Sequence, residues 1–265
     1  LHSNTLSGVV PQIALVLGPC IGVSAMIAAN ADLVVMSDKG ELTLETSGSG
    51  ASPEDAVKAG VCHVAAQNEE EAISTVRALI TALPSNNLSG APITDMFGEN
   101  TAAALSCSSS VADVIAAVAD DASFIELQKG FGENTVAGLA QVSGATVGLV
   151  GYEKEIDADS CAKAARFVRM CDAFAIPVVS VVNATRFASV REAAKLSNAY
   201  SEATCAKVAV ITGSAYGAVY IAVAGRGANA DVSLAWPCAV VSPLAPETGA
   251  MFAWNDRLAG SENPV

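Results

Sequence analysis

The sequence predicts an α/β fold built from repeated strand-helix units, and two observations carry that prediction. Short apolar runs bounded by glycine or proline alternate with segments of helical periodicity. One such unit also occurs twice. Val10-Pro11-Gln12-Ile13-Ala14-Leu15-Val16-Leu17-Gly18-Pro19-Cys20-Ile21-Gly22, followed by Ala29-Asn30-Ala31-Asp32, returns as Ala206-Lys207-Val208-Ala209-Val210-Ile211-Thr212-Gly213-Ser214-Ala215-Tyr216-Gly217, followed by Ala228-Asn229-Ala230-Asp231. The glycines recur at an offset of 195 residues and the quartets at 199, so the second copy carries four extra residues. Each copy reads as a buried strand, a Gly-x-x-x-Gly turn, a short helix and a second strand. Two copies this far apart indicate two homologous domains rather than a solenoid.

The elements follow in order along the chain. Residues 13–17 form a five-residue apolar run ended by Gly18-Pro19, which suits a strand buried on both faces. Ser52 opens a helix with Pro53 in its first turn, and Gly60 lies near its end. The apolar run Val61-Cys62-His63-Val64 then reads as a strand. Asn68 as N-cap, with Glu71 three residues on, opens a longer helix that is apolar at 72, 73, 76, 79, 80 and 83 and stops at Pro84. The turn-rich segment 84–92 marks a boundary. It divides the chain into a partial first domain at 1–87, a linker at 88–110 and a second domain at 111–265. Residues 111–119 read as a helix, and 136–140 with 146–150 as a hairpin turning at Ser143-Gly144. Helices at about 160–174 and 190–203 precede strands at 178–182 and 208–212, and the second glycine turn follows.

Composition narrows the function. Of 265 residues, 52% are hydrophobic and 15% charged, so a membrane span has to be tested. No charged residue stands between His2 and Ala31, yet Pro11, Gln12, Gly18-Pro19, Gly22 and Asn30 interrupt that stretch, and a span needs about 20 consecutive apolar residues. The hydrophobicity therefore points to a large core or a subunit interface. A net charge of −13 repels phosphate backbones and excludes nucleic acid as a partner. Seven cysteines, with no C-x-x-C pair and only two histidines, predict neither a disulfide framework nor a metal site. Free thiols without a cleavable signal pattern place the protein in the cytoplasm. The first residue is Leu1, so a natural start upstream is expected.

Each glycine turn brings the chain off a strand into a helix start, where backbone N–H groups lack partners. Such donors suit a developing oxyanion, and they lie near Gly22 and Val23 and near Ala218 and Val219. The same turns serve equally as packing turns. Ser24, at the first helix start, raises a serine-nucleophile reading. His2 and His63 are the only candidate bases, and neither stands with an acid partner, so Ser24 reads as a packing residue. Asp157 and Asp159 fall where a helix begins and complement its dipole. Arg166 and Arg169, three apart, share a helix face. Trp236 and Tyr216 read as core or pocket wall.

Taken in order, these residues resemble the carboxyltransferase subunits of biotin-dependent acyl-CoA carboxylases and of the related sodium-pumping acyl-CoA decarboxylases. The resemblance is carried by Val10-Pro11-Gln12-Ile13 leading to Gly18-Pro19-Cys20, by Leu83-Pro84-Ser85-Asn86-Asn87, and by Ala164-Ala165-Arg166-Phe167-Val168-Arg169 with Cys171-Asp172-Ala173-Phe174 and Ile176-Pro177. It continues through Ala193, Lys195-Leu196 and Tyr200 to Ala215-Tyr216-Gly217 and Ala235-Trp236-Pro237. It implies two duplicated crotonase-like domains of repeated ββα units, with the acyl-CoA side on the first and the biotin side on the second. The implied activity is carboxyl transfer between biotin and an acyl-CoA thioester through enolates held in backbone oxyanion holes. The biotin would ride on a separate carrier protein, since no Met-Lys-Met motif is present.

By position, the oxyanion donors fall on Gly22 and Val23 and on Ala218 and Val219; which pair serves which substrate stays open. Gly18, Cys20, Tyr216, Gly217 and Trp236 become substrate-binding candidates, and Arg166 and Arg169 could meet coenzyme A phosphates. No metal is implied. The site would form between subunits of a homo-oligomer, and a membrane decarboxylase subunit is a further partner. The family's usual second glycine is replaced by Val23 and again by Ala218, and its glycine-arginine loop would lie upstream of Leu1. The segments after Thr46, after Gly151 and around Phe187 are short for the family. Val23 and Ala218 favour a non-catalytic scaffold as the alternative, ahead of a serine hydrolase of the same superfamily.

Overall fold

The computed structural model describes residues 2–45, 51–94, 105–226 and 229–258. After a 3-10 turn at His2–Leu6, the first copy runs β1 (Ile13–Val16), β2 (Pro19–Ile21), α1 (Val23–Ala29), β3 (Leu33–Met36), β4 (Glu41–Thr43), α2 (Pro53–Lys58), β5 (Val64–Ala65) and α3 (Glu69–Ala82). β1, β3 and β5 form a parallel sheet in that order, and β2 pairs with β4 in a second, two-stranded one. Part of the expected linker, 95–104, lies outside the described residues, as does Ala228 of the second quartet.

Beyond that segment come α4 (Val111–Val118), β6 (Ile125–Leu127), β7 (Thr135–Val142), β8 (Ala145–Ile156), α5 (Ala158–Ala173), β9 (Val178–Phe187), α6 (Val190–Glu202) and β10 (Lys207–Tyr216). A π-turn at Tyr220–Ala224, β11 (Val232–Ala235), β12 (Val240–Ser242) and α7 (Pro246–Leu258) complete the order. The sheet runs β11-β10-β9-β8-β7-β6, with β12 paired to the far end of β10. Its β6-β7-β8 side is antiparallel, joined by the hairpin at Ser143-Gly144, and its β8-β9-β10-β11 side is parallel with helical crossovers.

Local sequence explains the helix starts. Ser52, Asn68, Ser110, Asp157 and Ser189 each accept a hydrogen bond from the amide three residues on, satisfying a donor that the helix leaves open. The duplication is equally concrete. Asp32 Oδ2 accepts the Gln12 amide at 2.8 Å, and Asp231 Oδ2 accepts the Lys207 amide at 2.7 Å. The acidic end of each Ala-Asn-Ala-Asp quartet thus clasps the start of the strand that opened its unit.

Three expectations are corrected. Gly18–Ile21 and Gly213–Tyr216 are not turns: the first contributes β2 and the second is the outer half of β10, each paired in parallel with a later strand. The last glycine of each motif, Gly22 or Gly217, takes the left-handed conformation that leads into the following helix. β1 is not buried throughout: it is an edge strand paired with β3 alone, Leu15 is 36% exposed, and Ile13 and Ala14 are only half-buried. The cysteines are not all free: Cys107 and Cys238 form a disulfide, while Cys20, Cys62, Cys161, Cys171 and Cys205 remain thiols. A sequence separation of 131 hid that pair, which joins the segment before α4 to the turn between β11 and β12. No helix among the described residues is long and apolar enough to cross a membrane.

The two copies share a core. Leu33 and Val35 of β3 and Leu79 of α3 pack in one cluster with Leu139, Tyr152, Phe167 and Ile211. Polar pins cross it. The Gln128 amide donates to His63 O at 2.7 Å, and Gln128 Nε2 donates to Gly60 O at 2.5 Å. Lys163 Nζ, buried, donates to the carbonyls of Gln128, Phe131 and Thr135 at 2.9, 3.2 and 2.7 Å. Burial pulls that ammonium down to about 8. His63 is also buried, and its Nδ1 accepts the Val34 amide at 3.1 Å. Burial, with the nearby Arg166 charge, lowers its pKa to about 3.

Because folded His63 stays neutral while the unfolded ring takes up a proton below its ordinary value of 6.5, stability is lost as pH falls from 6.5 toward 3. His63→Asn keeps an acceptor near Nδ1 and removes the titration. Unfolding free energies from urea titrations should therefore fall less steeply between pH 6.5 and 5 in the variant, by a slope approaching about 1.4 kcal/mol per pH unit. Alkylation of the denatured protein should tag five cysteines without reductant and seven with it, read by intact mass.

Candidate active site

The site is built twice around a glycine that no other residue replaces cheaply. Gly22 has φ +66 and Gly217 φ +46, both in the left-handed region. Each turns its own amide inward: Gly22 N–H donates to Thr43 O of β4 at 2.9 Å, and Gly217 N–H donates to Ser242 O of β12, also at 2.9 Å. The carbonyl of each glycine then closes the following turn, accepting Met26 N–H at 3.1 Å and Ile221 N–H at 3.2 Å. Between those bonds the amides of Val23, Ser24 and Ala25, and their counterparts Ala218, Val219 and Tyr220, meet no acceptor among the described residues.

The sequence reading is shifted by this pairing. The Gly22 amide, expected as a donor together with that of Val23, is bonded to Thr43 O, and the positions equivalent to Ala218 and Val219 by the 195-residue offset are Val23 and Ser24. Ala218 and Val219 keep open amides. Ser24 is not a packing residue either: its side chain is exposed and borders a cavity. His63 is held in the core by Val34 and supplies no base.

Each glycine turn adjoins a hollow. The first, about 590 Å³, is bounded by β1, by Gly18 and Cys20, and by Ser24 and Ile27 of α1. The second, about 370 Å³, is lined by Arg186, Phe187, Tyr216, Gly217, Ala218 and Leu244. On the other side of Gly217, Tyr220, Ile221, Val241 and Pro243 enclose a further hollow of about 380 Å³. Tyr216 is oriented by Ser214 Oγ, which donates to its hydroxyl at 3.1 Å, and the Ser214 amide is fixed by Asn183 Oδ1 at 2.9 Å. Trp236 stands outside these hollows, half-buried against the cluster containing Leu149 and Val181.

Arg166 and Arg169 do share a face, and both border a separate cleft of about 510 Å³ with Asp32, Glu192 and Lys195. Arg166 Nη2 donates to Ala31 O at 3.0 Å, so its charge ties α5 to the first copy. Arg169 pairs with Glu202 at 3.7 Å. Burial raises the Asp32 carboxyl above its usual range, against the opposing pull of the Gln12 amide and the Arg166 charge. Sequence reasoning missed Thr43, Ser242 and Asn183. The first two stand 199 residues apart, the offset of the quartets, but share no residue pattern around them.

Residues 2–263 match the family described as the carboxyl transferase domain. The chain belongs to that family. Among carboxyl transferase proteins, it is 33% identical to the methylmalonyl-CoA decarboxylase subunit alpha of Veillonella parvula over 286 residues, covering 92% of this chain and 56% of the relative. Against the propionyl-CoA carboxylase beta chain of Saccharopolyspora erythraea it is 34% identical over 303 residues, covering 96% and 55%. The fold matches transcarboxylase 12S, a crystal structure described as a hexamer assembly with methylmalonyl-coenzyme A and methylmalonic acid bound, at a TM-score of 0.87 and 29% identity. That match covers 99% of this chain and 58% of the other. A long-chain acyl-CoA carboxylase at 19% identity and a TM-score of 0.79 shares the fold. The architecture is thus the crotonase-like fold of carboxyl transferases. The chain spans a little over half the length of the curated relatives, between 55% and 56% for these two.

The two turn glycines should differ in tolerance. An added Cβ at Gly22 would lie 3.8 Å from Leu44 O, leaving only backbone strain, whereas at Gly217 it would lie 2.8 Å from Pro243 O. Gly22→Ala is expected to cost about 1–3 kcal/mol and Gly217→Ala clearly more, measured as the shift in urea midpoint.

Proposed function

We propose that this chain forms the carboxyltransferase part of a biotin-dependent acyl-CoA carboxylase or acyl-CoA decarboxylase. It would move a carboxyl group between biotin on a carrier protein and an acyl-CoA thioester. The observation that carries this reading is the pair of equivalent amide nests, each anchored by a left-handed glycine and each beside a hollow. One chemical step in such a transfer builds negative charge on a thioester oxygen, and two preorganised N–H donors oppose that charge in a water-poor site. Val23 and Ser24 supply one pair and Ala218 and Val219 the other.

Biotin, when bound, supplies the ring nitrogen that carries the carboxyl group. The residues present suit a small apolar ring with one polar edge: Phe187, Tyr216 and Leu244 wall the second hollow and Ala218 lines it. Gly18 and Cys20 border the first hollow and Tyr216 and Gly217 the second, which supports their substrate-binding roles. Trp236 is the weakest member of that set, since it stands apart. Domains at 1–87 on the acyl-CoA side and 111–265 on the biotin side, joined by 88–110, follow the two copies.

Val23, Met26 and Ile27 on α1, and Ile221, Val241 and Leu244 beside the second nest, are exposed apolar residues. Such clusters beside a site fit a homo-oligomer in which one subunit covers another. The assembly partner would fix the direction, a biotin carboxylase favouring carboxylation and a membrane decarboxylase subunit favouring removal. The five free thiols support a cytoplasmic location and the Cys107–Cys238 disulfide counts against it.

A second reading is a non-catalytic scaffold, favoured by the Val23 side chain, 67% exposed at the first nest. Calorimetric titration with propionyl-, malonyl- and glutaconyl-coenzyme A, followed by carboxyl exchange with free biotin, separates the two. Binding with exchange is expected. Folded protein that binds none of the three would leave the scaffold reading.

A further inference from the structure

The two amide nests are equivalent at the glycine and diverge immediately after it. In the first copy α1 is a regular helix from Val23 to Ala29, and Asn30 behind it is exposed. In the second copy the chain widens into a π-turn at Tyr220–Ala224, with the Gly225 amide reaching back five residues to Tyr220 O at 2.6 Å. Widening a helix by one residue shifts the ladder and leaves carbonyls without their usual donors. The last carbonyls of such a turn have no donor within it, and that of Ala222 sits on a residue only 4% exposed, where it needs a partner from the protein.

Asn229 occupies the place that Asn30 holds in the first copy, but it is turned into the protein. It is 5% exposed, and its Nδ2 donates to Ala222 O at 2.7 Å and to Ile221 O at 3.2 Å. The orientation of its amide is fixed from α6: Ser201 Oγ donates to Asn229 Oδ1 at 2.7 Å, and Asn229 Nδ2 lies 3.4 Å from Ser197 Oγ. Its own backbone amide donates to Gly225 O at 3.1 Å, closing the turn from behind.

We propose that Asn229 is a positioning residue for the second nest: by donating to the Ile221 and Ala222 carbonyls at the back of the π-turn, it fixes the axis along which the Ala218 and Val219 amides point. The turn is held at its front by the Gly217 amide on Ser242 O and at its back by Asn229, and between them the donors have one direction. The proposal rests on the carboxyltransferase reading for its catalytic meaning, but its structural content does not. In the first copy the regular helix needs no such donor, so Asn30 serves as an internal control.

The test uses the full chain and three variants. Asn229→Asp keeps the shape and removes the donor, Ser201→Ala removes the group that orients the amide from an exposed position, and Asn30→Ala alters the equivalent place in the first copy. Amide hydrogen exchange should quicken across 217–226 in Asn229→Asp, and to a lesser degree in Ser201→Ala, while 22–30 keeps its wild-type rate. The Asn30→Ala variant should match wild type in both segments. In carboxyl exchange with free biotin, kcat should fall about 10- to 100-fold in Asn229→Asp, with Kd for the acyl-CoA within about twofold of wild type. A general loss of structure would instead weaken both. Unchanged hydrogen exchange across 217–226 in the folded variants overturns the proposal. Absence of carboxyl exchange in the wild-type chain sinks the carboxyltransferase reading instead, and the hydrogen-exchange comparison still decides the role of Asn229. Should Asn229→Asp fail to fold, Ser201→Ala decides.

Discussion

A single backbone hydrogen bond, made twice, organises this molecule: the amide of a left-handed glycine donated to the carbonyl of a neighbouring parallel strand. Gly22 makes it with Thr43 and Gly217 with Ser242. The bond consumes the one donor that would otherwise compete for a ligand and aims the next amides outward. It also requires a strand beyond the helix, so β4 and β12, each only three residues long, are as necessary to the site as the strands that carry the motif. The hollows beside α1 and beside Tyr216 exist because the chain leaves its strand at that angle.

The two copies are not independent bodies. The turn at Gly60–His63 is bonded to Gln128, whose own carbonyl is held by Lys163 on α5, and from the same helix Arg166 reaches Ala31. A shift of one sheet against the other would break buried polar contacts as well as apolar ones, and buried donors left unmet are costly. This coupling keeps the spacing of two sites that lie on different sheets.

The fold class, the helix starts and the duplication were legible because each is written locally, in capping residues, in glycine spacing and in a quartet ending in an aspartate. What was not legible depends on partners remote in sequence. Gly18–Ile21 reads as a turn until β4 is seen alongside it. Leu15 reads as core until the sheet is found to stop at β1. Gly22 reads as a donor until Thr43 takes its amide, and Ser24 as filler until its exposure is known. Cys107 and Cys238 carry no pattern that names them as a pair. Asn30 and Asn229 occupy matching places in the repeat and cannot be told apart by sequence, yet one faces solvent and the other completes a π-turn.

Lys163 has a chemical implication for a protein of this family. Thioesters acylate amines, and an amine reacts fastest when much of it is unprotonated near neutral pH. With its pKa drawn down to about 8 by burial, Lys163 holds a larger fraction of free amine near neutral pH than an ordinary lysine does. It is also 1% exposed and engaged with three carbonyls, so no electrophile reaches it in the folded chain. An acyl mark on Lys163 would therefore record that the loop from Gln128 to Thr135 had opened.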